Sequence, residues 1–287
     1  MQWLRQLFQR DPPRIPEPLW RACTERLPFL QRLSADDLDR LKLLCESLLD
    51  KKTYTGAGGL ELTDEIAVLI AAQASLPVLN LTLDLYKDMA GIIVYPSEFI
   101  VPHAEMDEAG VLHEWDAPVS GEAVEAGGAV ILSWEDVEEL DSPGYNVVIH
   151  EFAHKIDMSG GSANGCPPFL AAYHRDIDAQ DWQRKFSAAY EDFVTRVDVI
   201  DSQLPEDFDL DDPLHADRYD ALCEALPLDP YAARHPAEFF AVASEAFFVL
   251  PEPLAAAYPE IHELLARYYR QDPLAAIATR KTGGKHL

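Results

Sequence analysis

Apolar residues recur at helical spacing through the first part of the chain. Trp20 to Leu27 predicts a short helix, closed by Pro28, which restricts the residue before it. Ser34-Ala35-Asp36-Asp37 reads as an N-cap with an acidic first turn, and Leu38, Leu41, Cys45 and Leu48 follow on one stripe. That helix is expected to stop near Lys52, before Thr55-Gly56-Ala57-Gly58-Gly59, and Thr63-Asp64-Glu65 opens another through Ile66 to Ile70. Leu79 to Leu85 is apolar and fits a strand or a helix equally. Ahead of all these, Met1 to Arg10 could form a short amphipathic helix but reads better as a frayed terminus packing Trp3, Leu4, Leu7 and Phe8 locally. Asp11 to Pro18 is too rich in proline for a helix and reads as an extended linker.

The pattern then changes. Ile92-Ile93-Val94-Tyr95-Pro96, Val111 to Trp115 and Val130-Ile131-Leu132 have strand composition, with Gly121 and Gly127-Gly128 between the last two. Asp141-Ser142-Pro143-Gly144 is a turn. The next helix is expected to begin near Tyr145 or Asn146 and to end before Ser159-Gly160-Gly161-Ser162. Pro236-Ala237-Glu238 starts a helix that Phe239, Phe240, Val242, Ala243, Phe247 and Phe248 make largely buried, and Pro251 marks its end. A last helix is predicted over about Leu254 to Tyr269, with a loose tail from Thr279. Strands before and helices after predict an α+β fold, mostly helical, with a small mixed β-sheet packed on the helix near residue 150. The expected organisation is an N-terminal segment and linker over 1–18, one domain over 19–278, and a tail over 279–287.

Charge and cysteine usage narrow the function classes. The 287 residues carry a formal net charge of −27, which repels phosphate backbones and anionic lipid heads, so direct nucleic-acid or membrane-surface binding is disfavoured. Cys23, Cys45, Cys166 and Cys223 form no C-x-x-C pair and are expected to be free thiols, as in a reducing compartment. With neither a membrane-length apolar run nor a secretory h-region, a cytoplasmic location is expected. The acidic insertion, about 196–227 and densest from Asp198 to Glu224, reads as a solvated loop. Within it, Asp207-x-Asp209-x-Asp211 begins like a calcium loop. Asp212 and Arg218, however, stand where that pattern needs glycine and glutamate.

The candidate chemistry lies at His150-Glu151-Phe152-Ala153-His154. Positions four apart on a helix share a face, so two imidazoles can converge on one metal ion, while Glu151 can reach a water without being a ligand. A catalytic zinc site needs a third protein ligand. The H-E-x-x-H-x-x-G-x-x-H extension is absent, so that ligand must come from elsewhere. The Pro236 helix offers Glu238 and Glu245, seven apart, and spacing does not choose between them as ligand or as a support behind a ligand histidine. Asp157, one turn after His154, either orients a ligand or sits at the helix end. Gly128 to Ser133 is a candidate strand edge for an extended peptide.

Together, Asn146-x-x-Ile149-His150-Glu151-x-Ala153-His154-Lys155-x-Asp157, Tyr231-Ala232-Ala233 and Ala237-Glu238-Phe239-Phe240-Ala241-Val242-x-Ser244-Glu245-x-Phe247-Phe248 resemble the Mlc titration factor A family. The likeness extends to Ile93-Val94-Tyr95-Pro96, Val130 to Trp134 and Tyr269 to Pro273, while the acidic stretch is longer than the family pattern. The resemblance implies a zincin-like zinc metallopeptidase, related in its catalytic domain to anthrax lethal factor, of gluzincin type and aminopeptidase-like on short peptides. It implies one Zn2+ per chain held by His150, His154 and Glu238. Glu151 is then the general base and Tyr231 the group facing the developing oxyanion, with His235 a competing donor. It also implies an alternative role: binding and sequestering Mlc, a glucose-responsive transcriptional repressor.

Overall fold

The computed structural model describes residues 14–97, 99–106, 112–119, 121–123, 128–138, 144–205, 208–209, 212–275 and 277. The amphipathic terminus, the start of the proline-rich stretch and the tail from Thr279 lie outside them. The chain divides into two compact units, Met1–Ser142 with Asn146–Lys155, and Pro143–Tyr145 with Ile156–Leu287.

In the first unit, α1 (Glu17–Glu25) begins earlier than its apolar pattern suggests, inside the stretch expected to be extended. Pro18 is tolerated there because first-turn N–H groups have no acceptor within the helix. Helix α2 (Ala35–Lys51) is capped as its sequence predicts, with Ser34 Oγ accepting from Asp37 N at 3.1 Å, and it buries Leu41, Cys45, Leu48 and Leu49. Helix α3 (Asp64–Ser75) starts at its Thr63 cap and is buried from Ile66 to Ser75. The ambiguous apolar run resolves into turns and a short 3-10 helix, Leu83–Tyr86.

The main sheet has the order β1 (Thr53–Gly56), β2 (Gly91–Tyr95), β6 (Val130–Ser133) and β5 (Gly121–Ala123). The first three are parallel and β5 runs antiparallel to β6. Strand β1 escapes sequence prediction because it has no apolar stripe, and it is held by register with β2, Tyr54 opposite Ile92. Glycine is needed at position 91, where a Cβ would stand 2.4 Å from Thr53 O. Ile92, Val94, Val130 and Leu132 are fully buried. Because β6 lies between β2 and β5, residues 130–132 are not the free edge expected of them. A hairpin of β3 (Phe99–Met106) and β4 (Leu112–Val119) and a short helix, α4 (Trp134–Glu138), complete this unit's elements before α5 (Val147–Met158).

The second unit is helical among its described residues: α6 (Ala179–Asp201), α7 (Pro213–Cys223), α8 (Pro236–Val249), α9 (Pro251–Ala257) and α10 (Pro259–Tyr269). Its core is aromatic. Trp182 and Phe186 of α6 stack at 4.3 Å, Phe239 and Phe240 of α8 meet them, and Tyr268 of α10 stands 5.5 Å from Trp182. The last predicted helix is two, broken at Tyr258-Pro259, where proline removes a donor. The acidic stretch is not simply a loop, since it holds the end of α6 and all of α7, which buries no residue. Asp212 caps α7 by accepting from Leu214 N at 2.9 Å, a local signal strong enough to start a helix with no core contact.

Candidate metal centre

The helix bearing the H-E-x-x-H residues is started by a side chain. Asn146 Oδ1 accepts from Ile149 N at 2.9 Å, and Asn146 O accepts from His150 N at 3.0 Å. The Asn146 amide donates to Gln73 Oε1 of α3 at 2.6 Å, and Gln73 Nε2 donates to Leu69 O at 3.1 Å. Each amide thus has one forced orientation, and both residues are buried. Val148, Ile149, Phe152, Ala153 and Ile156 are fully buried along α5, and the Phe152 ring meets Tyr86 edge-on at 4.9 Å.

This burial leaves His150 and His154 only 9% and 7% exposed, and Glu151 between them 4%. The imidazole Nε2 atoms of His150 and His154 face each other at 3.1 Å. Two ligands held about 2.0–2.1 Å from one ion at a tetrahedral angle would stand roughly 3.3 Å apart. The observed spacing therefore fits a shared cation.

One carboxylate joins them. A donor atom from each of His150, His154 and Glu238 lies within 4.8 Å of the others, a His-His-Glu set compatible with one metal ion. Glu238 is in the first turn of α8, where the helix N-terminus favours a carboxylate. His235 caps that helix, its Nδ1 accepting from Ala237 N at 3.1 Å, so this nitrogen is engaged. Glu245 lies deeper on the same helix and is 3% exposed. Tyr231 sits in the 3-10 turn Pro230–Ala233, with Asp229 Oδ1 accepting from its N–H at 2.8 Å. The residue is 41% exposed, with the Arg234 guanidinium 4.7 Å from its ring centre.

Asp157, only 1% exposed and in the last turn of α5, accepts two backbone N–H groups on Oδ2, from Asn164 at 2.8 Å and Gly165 at 2.7 Å. Sequence reading singled out neither Gln73 nor Gly165. Gln73 was findable as the one uncharged amide in the apolar run Ile66 to Ala74.

An α+β fold with a zincin-like His-His-Glu group built on an H-E-x-x-H helix defines a metallopeptidase-type protein. The sequence profile of the glucose-regulated metallo-peptidase M90 family matches residues 1–270, and the chain belongs to that family. It is 36% identical over 253 residues to a Mlc titration factor A of Serratia proteamaculans, covering 88% of this chain and 86% of that protein. A Mlc titration factor A of Yersinia pestis is 33% identical over 253 residues, covering 88% of this chain and 84% of its own. An uncharacterised protein of Synechocystis is 32% identical over 274 residues, covering 94% and 88%.

Proposed function

We propose that this chain is a zinc-dependent peptidase, aminopeptidase-like on short peptides, with His150, His154 and Glu238 holding one zinc ion. The observation that carries the reading is the 3.1 Å approach of the two Nε2 atoms with the Glu238 carboxylate in the same group. Zinc would supply Lewis acidity there, polarising a peptide carbonyl and making water acidic enough to ionise near neutral pH. Glu151 would take the proton of the attacking water and pass it to the leaving amine. Its place beside His150 on the same helix, 4% exposed, supports this role. The Tyr231 hydroxyl would donate to the oxygen that becomes negative in the tetrahedral intermediate, and its exposure leaves it open to a substrate.

The catalytic domain is proposed to span 19–278, with α5 contributing residues to both compact units. Four free cysteines support a cytoplasmic setting, and among the described residues no helix is long and apolar enough to cross a membrane.

A second reading is favoured by the name that two relatives carry: binding of an Mlc-like transcriptional repressor. Substitution of the proposed base separates the two. Glu151→Gln should retain zinc, lose hydrolysis of amino-acid anilides by about a hundredfold or more, and leave repressor binding intact. Equal hydrolysis by zinc-loaded wild type and Glu151→Gln would remove the catalytic assignment.

A further inference from the structure

We propose that Asp157 and Gly165 are positioning residues of the metal site. They clamp the first turn of α8, which carries Glu238, at a set distance from the last turn of the histidine helix. The inference rests on the zinc reading above and concerns the groups behind the ligands.

The clamp is a continuous run of short contacts. Asp157 lies in the last turn of α5, one turn after His154, and its Oδ2 receives Gly165 N at 2.7 Å and Asn164 N at 2.8 Å. Gly165 is held from its other side too, its carbonyl accepting from the fully buried Trp182 Nε1 at 3.1 Å. Its backbone has φ +78, and a Cβ built there would stand 2.5 Å from Pro236 O and 3.0 Å from Pro236 C. Only glycine permits both that conformation and that approach. Pro236 is the first residue of α8, two before Glu238.

The aromatic packing of Trp182 stabilises the unit in any case. The Asp157 bonds do something narrower, fixing one loop peptide at the point where it abuts the Glu238 turn. Two backbone N–H groups converging on one carboxylate oxygen fix the loop peptide more firmly than a single neutral pair would. A metal site loses affinity when such supports relax, because the ligands must then be reordered at the moment of binding.

The test is a titration of the full chain, freed of metal by chelator, with Co(II) alone, followed by competition with Zn(II). Wild type should take up one Co(II), with visible absorption bands of low coordination number. Asp157→Ala and Gly165→Ala should weaken zinc affinity by about tenfold to a hundredfold and shift those bands. Asp157→Asn keeps an oxygen that can accept both N–H groups, so it should lose less affinity and keep the wild-type band shape. Leu264→Ala, a cavity in the buried part of α10, should lower the melting temperature and leave affinity and spectrum unchanged.

Folded Asp157→Ala and Gly165→Ala proteins with wild-type affinity and spectrum would overturn the clamp, as would equal losses in Leu264→Ala. If those two variants do not fold, Asp157→Glu, whose longer side chain displaces the accepting oxygen, decides, and an unchanged affinity and spectrum there overturn it. A wild-type chain that takes up no cobalt would instead defeat the metal reading itself.

Discussion

Asn146 and Gln73, 73 positions apart, share a buried hydrogen bond of 2.6 Å that ties the start of the histidine helix to α3. Asn146→Ala removes the cap on Ile149 N and leaves Gln73 Oε1 without that donor inside the protein. The combined loss should be roughly 2–4 kcal/mol, read as a lower urea midpoint at unchanged slope. Asn146→Ser, which can still cap, should lose distinctly less. Equal losses would mean that the cap contributes nothing.

Tyr231 is the proposed oxyanion donor, and a conservative change there tests that role. The residue is 41% exposed and Tyr231→Phe keeps the ring, so the variant should remain folded. Tyr231→Phe should nevertheless lower kcat by about a hundredfold on an amino-acid anilide, with KM and zinc content near wild type. A wild-type kcat would transfer the oxyanion role to another donor.

Metal removal should be legible in stability. An ion that binds only the folded chain stabilises it by about 2.7 kcal/mol at a hundredfold excess over its Kd. Chelator should therefore lower Tm by several degrees, and added zinc should restore it. His154→Ala, which removes one member of the His-His-Glu group, should show almost no zinc-dependent shift.

His174 should make part of the stability pH-dependent. Its Nδ1 accepts from Leu170 N at 2.9 Å and its Nε2 faces Tyr268 O at 3.0 Å, so the ring is neutral with its proton on Nε2. Burial holds its pKa below the ordinary 6.5, despite the opposing Tyr268 carbonyl. Within the window between the folded value and 6.5, the unfolded chain binds more protons, so stability falls as pH drops. Metal-free protein should show a lower urea midpoint at pH 5.5 than at pH 7.5. His174→Gln should flatten that difference, and an unaltered pH slope would contradict the assignment.

Much of the chain was legible from local chemistry. Ser34 and Thr63 cap the helices they were expected to start, and α5 and α8 run close to their predicted bounds. Strand β1 was not legible, because its residues carry no apolar alternation and its identity comes from pairing with β2. The division of the last helix is written locally at Pro259, which opens the second of the two helices.

At the centre the boundary is sharp. The sequence by itself determined the facing of His150 and His154, because helical periodicity is a local property of the backbone and four residues make about one turn. It also made Asp157 a residue of interest without choosing between an orienting role and a helix end. Only the tertiary structure brings a Glu238 donor into one group with both imidazoles; spacing leaves Glu238 and Glu245 open, and the resemblance implies Glu238. The same holds for Gln73 behind the helix start and for Gly165 against Pro236 O. Those pairings join segments far apart in the chain, and no single segment encodes its partner's position.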